Sequence, residues 1–186
     1  MLADLTWKTD YDVTHLSELP GSPNLPIFYY PPKGEGGREG VLLQITSRQY
    51  RWIGCFASNV PSECIVIAAP RPGWLCVLSA GNFVVVDTAD PRRWETSPLP
   101  YVNTYLVVPQ YRLLLLADDT TVTAYGPEGF LWTSRRVCWD DLRLVSVNGT
   151  NIYGFGSDPT SRLQPEGRFI LDVFTGEVVG TDFTLE

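Results

Sequence analysis

Lysine is nearly missing from this 186-residue chain: Lys8 and Lys33 are the only two, and histidine occurs once, at His15. With a formal charge of -7 and a pI near 4.7, the chain lacks the basic face that phosphate neutralisation requires, which excludes the common modes of nucleic-acid binding. Its basic residues cluster only at Arg38, Arg48 and Arg51 and at the pairs Arg92-Arg93 and Arg135-Arg136, each with acids close by. A single histidine leaves His15 as the only base for a Ser-His-Asp triad, and G-x-S-x-G is absent. His15 lies in a polar stretch and reads as a surface residue.

Other absences narrow the field further. No run approaches the roughly 18 apolar residues of a membrane helix, and the first thirteen residues, MLADLTWKTDYDV, hold three Asp and no apolar run. The expectation is a soluble, cytoplasmic protein. The four cysteines, Cys55, Cys64, Cys76 and Cys138, show no C-x-x-C spacing and sit in apolar surroundings, where they read as small buried hydrophobes. No metal site or cofactor is expected. The glycine-dense PPKGEGGREG, residues 31–40, fails as a phosphate loop because it precedes a strand, lacks the G-K-[ST] ending and carries Glu35 and Glu39.

What is abundant is β-forming sequence. Val, Ile, Phe, Tyr and Trp gather in short runs broken by Gly, Pro, Asn and Asp, and 15 prolines with 16 glycines leave little room for helix. The one stretch that escapes the breakers, Val13 to Leu19, is predicted to be a short helix. IVIAAP, WLCVLS, FVVVDT and RRWET read as successive strands, and GVLLQITS with YRWIGCFAS forms a hairpin around Arg48-Gln49. Runs such as WLCVLS and RLLLLA are apolar on both faces, so each sheet needs protein on both sides.

The strands recur. A shift of 38 residues, Trp132 minus Trp94, also sets Leu75 on Leu113 and Val84 on Val122, and carried on it sets Leu144-Val145 under Leu106-Val107 and Ile152 under Leu114. Three units result, about 64–101, 102–139 and 140–186, the last departing by the insertion SDPTSRLQPEG at residues 157–167. Residues 1–63 add an irregular N-terminal unit. The chain is therefore read as one domain and as an all-β, propeller-like array of about four small antiparallel sheets, closed as a small propeller or open as a half-propeller. A two-sheet β-sandwich is the alternative.

TVTAYGPEGFLW, Thr121 to Trp132, and FILDVFTGEVV, Phe169 to Val179, with its D-x-x-T-G turn, resemble the blade repeat of the quinoprotein-like (PQQ-like) β-propellers. The resemblance implies blade architecture over about two-thirds of the chain. It implies no chemistry, since nothing matches the cofactor ligands of those propellers.

Paired acids at Asp118-Asp119 and Asp140-Asp141 suit turns better than Ca²⁺, the second pair being placed to meet Arg135 or Arg136. Asn148-Gly149-Thr150 reads as a tight turn. Trp94, Trp132 and Trp139, with Tyr101 and Tyr105, read as packing positions before binding ones because two of the tryptophans repeat. Function is therefore sought in the parts that do not repeat: Lys33 and Arg38 in the glycine-dense loop, Arg162, Gln164 and Glu166 in the insertion, and Trp139.

The leading expectation is a non-catalytic protein-interaction module, an accessory or immunity-type protein of a bacterium, whose partner is another protein, a basic one on charge grounds. A self-assembling structural protein that pairs with a second copy comes next, since an open array leaves a sheet edge to cover. A small-ligand-binding or hydrolytic enzyme using Asp87, Asp118 and Asp172 comes last.

Overall fold

The computed structural model describes residues 2–21, 24–31, 39–58, 64–162 and 165–184. It is all-β, with four small sheets and, among the described residues, no α-helix; a single 3-10 turn spans Pro109–Tyr111. The chain divides into two compact units, Met1–Ser97 and Pro98–Glu186.

The first unit contains β1 (Leu2–Asp4), β2 (Tyr11–Leu16), β3 (Ile27–Tyr30), β4 (Gly40–Ser47), β5 (Arg51–Ala57), β6 (Cys64–Ala68), β7 (Trp74–Ser79), β8 (Asn82–Asp87) and β9 (Trp94–Thr96). Strands β6 to β9 form an antiparallel meander, and β1 adds to its edge parallel to β6. The second sheet runs β2-β4-β5-β3, with the β4–β5 hairpin at its centre as the sequence indicates and β3 parallel to β5. Residues Val13 to Leu16 are thus strand, not helix. Side chains alternate here, Tyr11 buried and Asp12 exposed, and pairing with β4 over Tyr11↔Ser47 to Leu16↔Leu42 supplies hydrogen bonds that a seven-residue helix could not match.

Each strand of the β6–β9 meander follows from its residues. WLCVLS of β7 is buried along its whole length, as a run apolar on both faces requires. Ala80 and Gly81 make the two-residue turn into β8, both at positive φ, +46° and +79°. The two sheets share one core built from Leu43, Ile45, Trp52, Phe56, Val66, Leu75, Val77, Val84 and Val86. Three polar tips tie them: Tyr11 Oη donates to the Trp74 carbonyl at 2.9 Å, Tyr30 Oη to the Pro91 carbonyl at 2.5 Å, and Trp52 Nε1 to the Thr88 carbonyl at 3.0 Å. Such bonds satisfy the polar end of an otherwise apolar side chain, each contributing about 1 kcal/mol. Burial holds both phenols far above their ordinary pKa, so they remain donors.

The second unit contains β10 (Thr104–Val108), β11 (Leu113–Ala117), β12 (Val122–Gly126) and β13 (Gly129–Thr133) in one antiparallel meander, and β14 (Asp140–Asn148), β15 (Asn151–Ser157), β16 (Glu166–Asp172) and β17 (Val178–Thr181) in another. Trp94 in β9 and Trp132 in β13 each occupy the fourth strand of a meander. LLLLA of β11 and VTAYG of β12 are fully buried. The β14–β17 sheet differs: Leu142, Ile152, Phe169 and Leu171 face the core it shares with β10–β13, while its other face is exposed.

Two aromatic rings of this unit are seated against glycine. A Cβ at Gly154 would lie 2.6 and 2.7 Å from Cε1 and Cε2 of the buried Phe169 ring, and closer still to Cζ. A Cβ at Gly176, where φ is +71°, would lie 2.8 Å from Cδ2 and Cζ3 of Trp132 and closer to Cε3. Trp132 therefore rests its ring on the turn between β16 and β17, and its Nε1 donates to the Val173 carbonyl there at 3.1 Å.

Candidate interaction surface

Every acid considered for catalysis closes a turn. At the end of β8, Asp87 Oδ1 accepts the amides of Ala89 and Asp90 at 2.9 and 3.3 Å, and its Oδ2 pairs with Arg93 at 3.0 Å. After β11, Asp118 accepts the amides of Thr120 and Thr121 at 2.8 and 2.7 Å and the Thr121 hydroxyl at 2.8 Å. In the D-x-x-T-G segment, Asp172 accepts the amides of Phe174 and Thr175 at 2.9 and 3.0 Å. This is turn chemistry, as Asp at such positions favours. Asp119 receives bonds from the Tyr101 hydroxyl and the Asn103 amide, and the Asp119 bond pushes the Tyr101 phenol up to about 12.

The second acidic pair corrects one expectation. Asp141, at φ +52°, pairs with Arg143, two residues on, at 2.5 Å, rather than with Arg135 or Arg136. Arg136 instead lies with its guanidinium 5.3 Å above the Trp139 ring. Asn148–Asn151 closes the β14–β15 hairpin through Gly149 at φ +54°, and the Tyr111 hydroxyl donates to its carbonyl.

The described cysteines are all buried, and none is in a disulfide. Burial pushes Cys64 up to about 11 and Cys138 up to about 12, so both are neutral thiols without nucleophilic character near neutrality. His15 is exposed on β2, opposite Leu43.

Of the residues singled out for binding, Lys33, Arg38 and Gln164 lie outside the described residues. Trp139 and Glu166 lie at one end of the β14–β17 sheet, and Arg162 in the connection between β15 and β16. Cross-strand register places Asp140, Ser157 and Glu166 side by side at one end of the β14–β17 sheet, and the Trp139 amide donates to the Ser157 carbonyl at 3.1 Å. Arg162 belongs to the loop that leaves β15 and returns at Glu166. The base of that loop is closed by the Asp158 amide on the Pro165 carbonyl at 2.8 Å. Asp158 Oδ1 also accepts the Thr160 hydroxyl at 2.6 Å and amide at 2.9 Å, which holds its carboxyl below the usual range. Arg162 and Glu166 are exposed, and Trp139 is 37% exposed. Trp139 turns outward because Cys138 before it turns in: a Cβ at Gly156 would lie 2.5 Å from the Cys138 sulfur. Trp94 and Trp132 do not join this end. They pack, Trp94 against Tyr30 with ring centroids 6.0 Å apart, and Trp132 as described above.

Sequence reasoning misses the face next to this end. Arg143 pairs across with Phe155 and Phe155 with Arg168, so one exposed row of the sheet reads Arg-Phe-Arg. Asp182 extends it: its carboxylate accepts the Arg168 amide at 2.9 Å and approaches Arg168 Nε at 3.5 Å, which holds it below the usual range. Phe155, 45% exposed, stands between Arg143 and Arg168 in the row. The next row carries Tyr153 and Ile170, paired across β15 and β16 and half-buried. No protein-family model matches the chain, and no curated protein matches it.

Proposed function

We propose that this chain is a non-catalytic protein-interaction module whose recognition end is formed by Trp139, Arg162 and Glu166. The observation that supports this reading is the register Asp140–Ser157–Glu166, which sets Glu166 and the strand that follows the exposed Trp139 at the same sheet end from which the connection bearing Arg162 departs. Trp and Arg are the side chains that most often anchor protein interfaces, and a loop closed at its base holds Arg162 near that end with less entropy to lose on binding. The turn-capping roles of Asp87, Asp118 and Asp172 weigh against the hydrolytic reading, because each carboxylate already accepts two amides. The partner is a protein, a basic one given the chain's charge of -7.

The same proposal treats the sheets as blades of a propeller-like array. Support comes from three successive four-stranded meanders, β6–β9, β10–β13 and β14–β17, and from the Trp132 ring seated on the turn of the following sheet. In such arrays each sheet is stabilised by its neighbour. Hydrogen exchange in Trp132→Ala reads this: the amides of β15 and β16 lose protection, and unchanged protection rejects the blade reading.

A photo-crosslinking residue at position 162 tests the recognition end in cells of the organism that makes the protein. The expected outcome is one discrete heterologous adduct, lost when Trp139→Ala is added. Adducts to many proteins alike, or an adduct indifferent to Trp139→Ala, reject the assignment.

A further inference from the structure

We infer that the exposed face of the β14–β17 sheet binds the same face of a second copy of this chain, the two related by a twofold axis that runs parallel to the strands between β15 and β16. The inference concerns the face that adjoins the recognition end, centred on Phe155 and Arg168, and is tested independently of it.

Face-to-face packing about such an axis lays β14 of one copy over β17 of the other, so each cross-strand row meets itself in reverse order. The first row runs Arg143, Phe155, Arg168, Asp182. Reversed on itself, it sets Arg143 against the partner's Asp182 at both ends and Phe155 against the partner's Arg168 in the middle. Opposite charges therefore meet twice, and an aromatic ring meets a guanidinium twice. The second row, Ser146, Tyr153, Ile170, Gly180, obeys the same rule: Tyr153 lies over the partner's Ile170, and Ser146 at one edge over the partner's Gly180 at the other. Val145 and Val179 are 51% and 60% exposed in the irregular pairings of β14 and β17.

A different partner would have to supply this alternation independently; a second copy supplies it by symmetry, and a twofold, self-complementary contact is the commonest form of association. Each arginine of the first row is braced by an acid, Arg143 by Asp141 and Arg168 by Asp182, so this row is balanced in charge although the chain as a whole is acidic. Two acidic chains then meet along this row with opposite charges in register.

Charge swaps on the full chain test this by sedimentation equilibrium between about 1 and 100 µM. The wild-type chain is expected to dimerise in that range. Arg143→Asp sets carboxylate against carboxylate at both ends of the row, and Asp182→Arg sets guanidinium against guanidinium. Each is expected to weaken dimerisation by on the order of a hundredfold. Mixed one to one, the two variants regain opposite charges at both ends, and a heterodimer of wild-type affinity is expected. This recovery requires both chains to be folded, so a monomeric variant that rescues its partner is not a misfolded one. A wild-type chain monomeric throughout, a dimer that both swaps leave intact, or a mixture that fails to associate overturns the inference. Crosslinking from position 162 to a heterologous protein survives any of those results, so the two proposals fail separately.

Discussion

Replacing Gly176 by alanine separates backbone strain from the seating of Trp132. At φ +71° an alanine costs about 1–2 kcal/mol, because its Cβ crowds the following carbonyl. Its Cβ would also sit 2.8 Å or less from three atoms of the Trp132 ring, and overpacking of this kind costs about 1–3 kcal/mol more. Gly149 provides the comparison. It has φ +54° and nothing within 4 Å of the Cβ position, so Gly149→Ala bears only the backbone term. Urea denaturation is expected to show Gly149→Ala destabilised by about 1–2 kcal/mol and Gly176→Ala by about 2–5 kcal/mol, with unchanged m-values. Adding Trp132→Ala removes the obstructing ring. In that background Gly176→Ala should cost about 1–2 kcal/mol, a coupling that a double-mutant cycle measures directly. Equal destabilisation by the two single glycine substitutions, or a Gly176→Ala cost unchanged by loss of Trp132, would refute the docking of the indole on this turn.

Trp52→Phe should cost about 1–3 kcal/mol in thermal or chemical denaturation, because the Thr88 carbonyl loses its 3.0 Å donor while the site keeps an aromatic ring. Thiol labelling with a disulfide reagent at pH 8 should be slow in the folded chain at Cys64, Cys76 and Cys138 and complete in urea; rapid native labelling would contradict their burial. The folded Cys138 thiol has a pKa raised from 9.0 to about 12, so its contribution is full below pH 9 and lost as pH rises towards 12; unfolding stability should fall across that window, less steeply in Cys138→Ala.

Much of the fold is legible locally. The apolar runs of β7, β11 and β12 announce strands with both faces covered, and Ala80-Gly81, Asn148-Gly149 and the Asp-headed turns announce where strands reverse. Asp87, Asp118 and Asp172 accept backbone amides within three residues of themselves, which is why turn chemistry is legible for them in the sequence. The exception, Val13 to Leu16, shows the limit. Nothing within the segment opposes a helix, and it becomes strand only because β4 offers an edge some thirty residues away. The parallel addition of β1 to β6 and of β3 to β5 escapes local reading for the same reason.

The sequence alone determined that this protein is built of short β-strands, that histidine and lysine chemistry is nearly closed to it, and that its cysteines are packing residues. Composition and near-neighbour spacing suffice for those conclusions. Tertiary structure alone decided which face of the last sheet stays exposed and which side chains share it. Arg143, Phe155, Arg168 and Asp182 stand twelve, thirteen and fourteen residues apart and become one row only through cross-strand register. Register is fixed by the buried face, where Gly154 lets Phe169 seat, so the exposed pattern is set by packing on the opposite side of the sheet.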